Sequence, residues 1–250
     1  MASATAMIVA GGRGVRMASA IRKQYLILGD RPILAHTIQP FYTAAAIERI
    51  VLVVPASDTE DCRRRIVESY GFSDKVTMAE GGPDRQASVY NGLLAAERPG
   101  GDDHPVLIHD GVRPFVTDRE IGTCLDEVAR SGACILATPA TETLKRAGAD
   151  HRILETVSRR GIWMAQTPQA FAFRLIREAH ERARGEGVSG TDDASLVERM
   201  GHPVTIVLGT RRNIKITAPD DLWMAEAILA RLHWGSQCPQ SMDDLDDGFR

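Results

Sequence analysis

Short apolar runs alternate with helix-spaced segments along most of this chain, and that alternation limits the folds open to it. Residues 6–10 (AMIVA), 49–54 (RIVLVV), 76–79 (VTMA), 106–109 (VLIH) and 133–138 (ACILAT) each read as a short buried strand. Between them, Pro32 suits the first turn of a helix carrying Ile33, Leu34, Ile38, Phe41 and Tyr42 at helical spacing. Ser57 can cap a charged helix over 58–70, with Asp58, Glu60 and Asp61 in its first turn, and further helices are expected over 84–97 and 118–131. Repeated strand and helix units with short connections predict an α/β fold, doubly wound around a mainly parallel sheet covered on both faces. Ligands of such sheets sit beyond the carboxyl ends of the strands, near the switch in strand order.

The rhythm breaks over 139–161. This polar stretch, rich in Thr and Arg, has Ala147-Gly148-Ala149-Asp150 at its centre and reads as a protruding β-arm with too little apolar surface to stand alone. It is expected to pack on something else, another subunit being one choice. Regular structure then resumes with a helix over 171–184, a capped helix over 191–200, strands at 204–208 and 214–217, and a last helix from Pro219 to His233. The expected organisation is a single domain over 1–234 and a flexible acidic tail over 235–250, which carries almost no apolar content.

The first apolar run leads into Gly11, Gly12 and Gly14, which let backbone N–H groups approach an anion because no Cβ stands in the way. Arg13, Arg16 and Lys23 follow closely, cations suited to phosphate oxygens. The loop reads either as a triphosphate cradle or as a strand-to-helix turn with solvated charges. It is not a P-loop, since G-x-x-x-x-G-K-[ST] does not occur, and Met17 stands where a dinucleotide fingerprint needs its third glycine.

Four further constellations could carry chemistry. Gly81-Gly82-Pro83-Asp84-Arg85-Gln86-Ala87-Ser88 is a corner where bare backbone could meet a flat base, or a plain glycine turn with Asp84 as helix cap. In His109-Asp110-Gly111-Val112-Arg113-Pro114 a strand delivers an acid and then a cation to the ligand edge. Asp110 could hold Mg²⁺ against phosphates or pair with Arg113, while His109 is expected to be a satisfied strand-end histidine. Thr143, Lys145 and Arg159 on the arm, with Thr167-Pro168-Gln169 after it, could bind a phosphorylated polyol or simply form polar hairpin faces. Lys215 alternates with Ile214 and Ile216 and would face away from them.

Bulk properties narrow the partners. A net charge of -3 gives no global basic field, which argues against nucleic acid. The four cysteines, Cys62, Cys124, Cys134 and Cys238, form neither a C-x-x-C pair nor a zinc pattern and fit reduced thiols in a cytoplasmic protein. The N-terminal run lacks a charged n-region and is too short for a signal peptide or membrane span, so no targeting and no membrane association are expected.

Taken in order, AGGRGVRM with Lys23-Gln24-Tyr25, GGPDRQASV, HDGVRPF, TETLKRA, Thr156-Val157-Ser158-Arg159, WMAQTPQAF, TDDAS, and NIKIT with PDDL closely resemble the 2-C-methyl-D-erythritol 4-phosphate cytidylyltransferases of non-mevalonate isoprenoid biosynthesis. The resemblance covers residues 6–232. It implies a Rossmann-like nucleotidyltransferase whose loop from Ala10 through Gly11 and Gly12 to Gly14 wraps the CTP triphosphate. It implies catalytic roles for Arg16, Lys23 and Lys215, and a cytosine-reading corner at Gly81, Gly82, Arg85 and Ser88. Asp110 falls on the acidic strand end as a nucleotide and Mg²⁺ contact, and Arg113, Thr143, Arg159 and Thr167 match residues that bind methylerythritol phosphate. In the family the arm reaches into the partner subunit, so a homodimer is implied in which Thr143 and Arg159 serve the other subunit's site.

The match has departures. The family often has Ala-Ala-Gly where this chain has Ala10-Gly11-Gly12, and His-Asp-Ala-Ala-Arg-Pro where it has Gly111-Val112. Ser158 stands where an acid commonly precedes the arm arginine, and Pro83 where some members have Asp. None removes a charged group assigned to the reaction. The rival readings are a ribitol 5-phosphate cytidylyltransferase and a nucleotide-binding regulatory protein without turnover.

Overall fold

The alternation of strand and helix is present in the computed structural model, which describes residues 3–12, 22–99 and 103–235. Strand β1 (Ala4–Val9) is followed, past a 3-10 turn at Lys23–Tyr25, by the small antiparallel pair β2 (Ile27–Leu28) and β3 (Arg31–Pro32) and by helix α1 (Ile33–Thr43). Next come β4 (Ile47–Val54), α2 (Thr59–Cys62), β5 (Val76–Glu80), α3 (Arg85–Ala96), β6 (Pro105–Asp110), α4 (Asp118–Ser131) and β7 (Ala133–Pro139). The arm is the hairpin β8 (Leu144–Ala147) and β9 (Ile153–Val157). The chain ends with β10 (Trp163–Ala172), α5 (Phe173–Gly185), α6 (Asp193–Arg199), β11 (Thr205–Leu208) and α7 (Pro219–Gly235).

The seven-stranded sheet has the order β11-β7-β10-β6-β1-β4-β5. All its neighbours are parallel except β10, which runs antiparallel between β6 and β7. Because side chains alternate along a strand, Ala6 and Ile8 of β1 join one core with Leu52, Leu107 and the apolar faces of α1 and α4, whereas Met7 joins another with Val53, Ile108, α3, α5 and α6. The sheet is therefore covered on both faces, as expected. A third, smaller core of Leu28, Ile33, Phe115, Ile216 and Ala225 fixes α7 against β2 and α1.

Several local expectations are corrected. The stretch 163–172 is a strand, so the helix expected over 171–184 starts at Phe173. Its pattern is broken by buried Gln166, Thr167 and Gln169, and the ladder to β7 shifts register between Ala165 and Gln169, where Pro168 has no N–H to give. The cap expected at Ser57 is absent: Ala56–Asp58 is a 3-10 turn, Ser57 bonds Asp58, and the helix widens into a π-type stretch at Arg63–Glu68. Residues 214–217, expected as a strand, take no regular secondary structure and do not join the sheet. Gly235 closes α7, and the rest of the expected tail lies outside the described residues.

Packing between α3 and the sheet leaves no room at Gly92. Alanine inside a helix normally gains about 1 kcal/mol over glycine, but here its Cβ would stand 2.5 Å from Met7 Sδ and 2.9 Å from Val53 Cγ2, both fully buried. Overpacking of this kind costs roughly 1–3 kcal/mol, so Gly92→Ala is expected to lower the melting temperature by a few degrees in thermal unfolding. A rise in Tm would refute this close contact.

Candidate active site

In the sheet order β1 sits where the chain reverses, adding β4 and β5 on one side and β6 on the other. The carboxyl ends of β1, β4 and β6 open there onto one cleft of about 460 Å³. Its lining includes Ala10, Gly11, Gly12, Lys23, Gly81, Gly82, Arg85, Ser88, Asp110 and Lys215. These ten positions were expected in the nucleotide and catalytic site, and the fold brings them together from five separate stretches. Arg16 and Gly14 lie outside the described residues. Among the described lining residues the cations Arg22, Lys23, Arg85 and Lys215 outnumber the carboxylates Asp84 and Asp110, while Arg22 and Arg85 also pair with Asp58 and Asp193 outside the lining, so the cleft presents cationic groups to an anion although the whole chain is slightly acidic.

Each wall has a local reason for its shape. Gln24 is buried and its Nε2 donates to Ala10 O at 2.6 Å, tying the 3-10 turn that carries Lys23 to the glycine loop. At the second corner Asp84 caps α3 by accepting from Ala87 N at 2.7 Å. Ser88 Oγ donates to Asp84 O and accepts from Gly82 N at 3.0 Å, so its hydroxyl shapes the corner itself. A Cβ on Gly82 would lie 2.5 Å from Ala87 Cβ, which explains the bare backbone.

Asp110 is the electrostatic centre. Lys215 Nζ lies 2.8 Å from its Oδ2, Arg113 Nε 3.5 Å from the same oxygen, and Arg85 Nε 3.5 Å from Oδ1. Burial pushes the Asp110 carboxyl up, but Lys215, Arg85 and Arg113 together outweigh it and hold it well below the usual carboxylate range. Burial likewise opposes the charge on Arg85, yet Asp193 and Asp110 raise its pKa above the ordinary guanidinium value.

The remaining expected residues stand elsewhere. Arg113 is buried and donates from Nη1 to Asn213 O at 2.7 Å. Thr167 is buried too, its Oγ1 accepting from Asp110 N at 3.0 Å. Both brace Asp110 from behind, and neither lines the cleft of this chain. Thr143 and Arg159 also lie outside that lining; they are exposed on the arm, where Arg159 bonds Thr141 O.

Asn213 and Asp193 were not singled out from the sequence, although each belongs to a motif that was, and Gln169 was named only within a run read as polyol-binding or as a polar hairpin face. Fully buried Asn213 donates to Thr167 O at 2.8 Å while its backbone O accepts from Arg113, pinning the NIKIT stretch to the loop after β6 and to the middle of β10. The available signal was a run of polar residues inside otherwise apolar motifs. No three His, Cys, Asp or Glu side chains among the described residues form a metal cage.

His109 is a satisfied strand-end histidine, as expected. Its Nε2 faces Arg113 O at 3.0 Å and its Nδ1 faces Thr167 Oγ1 at 3.1 Å, so the ring is a neutral tautomer with its proton on Nε2. Burial lowers its pKa to about 4. The unfolded state, titrating near 6.5, binds the proton first, so this group's contribution to stability is present above pH 6.5 and lost as pH falls toward 4. At 1.36 kcal/mol per pH unit this amounts to roughly 3 kcal/mol. His109→Gln keeps one donor and one acceptor, and urea unfolding between pH 7 and 4 is expected to show a flatter stability profile for it than for the parent. Parallel profiles would contradict the buried neutral ring.

Comparison with known proteins agrees with this geometry. Residues 4–231 match the family described as 2-C-methyl-D-erythritol 4-phosphate cytidylyltransferase (IspD). Proteins of that name from Geobacter metallireducens and Syntrophus aciditrophicus are 47% and 46% identical to this chain, covering 90% of it and 96% and 95% of their own lengths. The crystal structure of the 4-diphosphocytidyl-2C-methyl-D-erythritol synthase from Anaerococcus prevotii superposes with a TM-score of 0.79 at 31% identity, over 92% of this chain and 97% of its own. The 2-C-methyl-D-erythritol 4-phosphate cytidylyltransferase from Thermus thermophilus does so with 0.73 at 34% identity, over 90% and 98%. With a family match across nearly the whole chain, a doubly wound sheet and a cationic cleft at its switch point, the chain belongs to the 2-C-methyl-D-erythritol 4-phosphate cytidylyltransferase family.

Proposed function

We propose that this chain joins CTP and 2-C-methyl-D-erythritol 4-phosphate, giving 4-diphosphocytidyl-2-C-methyl-D-erythritol and pyrophosphate in isoprenoid precursor synthesis. The supporting observation is the cleft itself, where Arg85 and Lys215 pair with Asp110 at the strand ends and Lys23 joins them in the lining. A phosphate oxygen of the polyol phosphate attacks the α-phosphorus of CTP; the new P–O bond forms as the bond to the β-phosphate oxygen breaks, and pyrophosphate leaves with the electron pair. The nucleophile is already an anion, so no general base is needed, consistent with the buried, engaged ring of His109. Positioning and charge stabilisation carry the rate.

In this reading Ala10, Gly11 and Gly12, continued by Gly14, present backbone to the triphosphate, and Lys23, Lys215 and Arg16 offset charge on the reacting phosphates. The base meets Gly81 and Gly82, with Arg85 and Ser88 setting that corner. Mg²⁺ fits as a companion of the triphosphate, because it normally keeps waters and substrate phosphates in its shell and needs only one or two carboxylates. Asp110, held ionised at the cleft, would be its protein oxygen. The ion supplies positive charge to the phosphates when bound.

The polyol phosphate is assigned to Thr143 and Arg159 of a second copy, with Arg113 and Thr167 bracing the acid it approaches. A homodimer through the arm accounts for apolar side chains left in water there, Ile153 at 64% and Leu154 at 66% exposure. The unit is taken as a single domain over 1–234 bearing that arm. A cytoplasmic location fits Cys62, Cys124 and Cys134 being free thiols, and no described helix is long and apolar enough to cross a membrane.

Pyrophosphate release from CTP is expected with methylerythritol phosphate and not with ribitol 5-phosphate; the reverse preference, or no turnover with either, would overturn the assignment. Arg159→Ala is expected to raise the KM for the polyol phosphate roughly 10- to 100-fold, the cost of a lost charged hydrogen bond, with the KM for CTP unchanged. With the polyol phosphate well below the raised KM, mixing the Lys23→Ala and Arg159→Ala variants should restore activity if sites are shared between subunits.

A further inference from the structure

Arg85 is held by two carboxylates from different elements, and only one of them faces the cleft. Its Nε lies 3.5 Å from Asp110 Oδ1, on the cleft wall, and its Nη2 lies 2.8 Å from Asp193 Oδ2. Asp193 opens α6, is 1% exposed and does not line the cleft. Its Oδ1 lies 3.2 Å from Nε2 of fully buried His180, and its backbone N–H donates to Gln169 Oε1 at 3.1 Å.

This charge is not explained by the helix it begins. Asp192 already caps α6, its side chain accepting from Ser195 N at 3.0 Å while its own N–H donates to Ser195 Oγ. A carboxylate so buried costs several kcal/mol unless paired, and Arg85 gives Asp193 its shortest contact to a cation among the described residues. Asp110, by contrast, is shared with Lys215 and Arg113 and stands where an incoming anion or metal ion would compete for these groups. Asp193 is out of that competition.

We propose that Asp193 is a positioning residue for nucleotide binding: through its ion pair it holds the Arg85 guanidinium beside the Gly81-Gly82 corner, and His180 fixes Asp193 in turn. The inference rests on reading Arg85 as a nucleotide-binding residue. A ligand that draws Asp110 away leaves Arg85 anchored from behind, so the corner keeps its shape while charges rearrange in front of it. A lysine at position 85 has no fork to span two carboxylates.

The test is a double-mutant cycle read by calorimetric titration of CTP with Mg²⁺. Asp193→Asn, close in shape but uncharged, is expected to weaken CTP binding about tenfold when Arg85 is present and less than twofold in an Arg85→Ala background, itself at least tenfold weaker than the parent. An equal loss in both backgrounds, or no loss with Arg85 present, overturns the positioning role. If Arg85→Ala binds CTP like the parent, the nucleotide role of Arg85 falls and the inference with it, while the pyrophosphate assay still judges the overall reaction. Should Asp193→Asn not fold, Arg85→Lys decides: binding as weak as Arg85→Ala supports the two-carboxylate clamp, and parent-like binding overturns it.

Discussion

Alanine in place of Lys23 is expected to lower kcat by about two to three orders of magnitude, the usual loss when one preorganised charge stabiliser is removed from a reacting centre. The magnitude depends on Lys23 being held before substrate arrives, and three features hold it. Its stem runs beside the glycine loop, since a Cβ on Gly12 would lie 3.8 Å from Lys23 Cε. The 3-10 turn that carries it is tied down by Gln24, bonded to Ala10 O. Its charge also faces Asp221, a carboxyl held below its usual range chiefly by bonds from Thr217 and Ala218 against the cost of burial, with Lys23 adding to the effect. Lys23 is half-buried and belongs to none of the three apolar cores, so the fold should notice little, within about 0.5 kcal/mol. Initial rates of pyrophosphate release with both substrates saturating measure the effect. A kcat within threefold of the parent, with Tm unchanged, would remove Lys23 from the reacting phosphates.

How much of this was legible from residues alone follows from the physics of each part. Buried parallel strands leave continuous apolar runs, so β1, β4, β6 and β7 could be read directly, and α4 ends where expected because Gly132 takes the left-handed conformation after it. Strand β10 could not be read this way. Its buried polar residues serve neighbours distant in sequence: Gln169 holds the start of α6, and Thr167 holds Asp110. Such pairings have no local period. Residues 214–217 misled for the opposite reason, because neighbouring side chains can turn to opposite sides without the backbone joining a sheet. Lys215 faces Asp110 and Ile216 is buried, as a strand would place them, yet Ile216 N bonds Val112 O outside the seven-stranded sheet. The cleft was largely legible because glycines, cations and Asp110 carry strong local chemistry. The layer behind it, Asn213, Gln169 and Asp193, was not, because its role exists only after folding.

The same layer sets the expected cost of removing Asp110. Asp110→Ala leaves three cations without their common anion, and they are not equally exposed to the loss. Lys215 is 39% exposed in its side chain and can turn to water, and Arg85 keeps Asp193. Arg113 has neither escape. It is 9% exposed, and among the described residues its Nε makes no hydrogen bond and Asp110 at 3.5 Å is the carboxylate that faces it. Burial already lowers the Arg113 pKa, with Asp110 opposing that effect, so the substitution strands a buried charge. Breaking a buried pair by deleting one member costs about 3–5 kcal/mol, which for a chain of this size lowers Tm by roughly 6–20 °C. Lys215→Ala should cost far less, under about 1.5 kcal/mol, because Asp110 still faces two guanidinium groups and the lost cation was half in water. Thermal and urea unfolding of the two variants therefore separates the roles: both should lose turnover, but Asp110→Ala alone should lose most of its folding stability. Equal destabilisation by the two would mean that Lys215 is the true partner of Asp110, and that Arg113 is held by Asn213 instead.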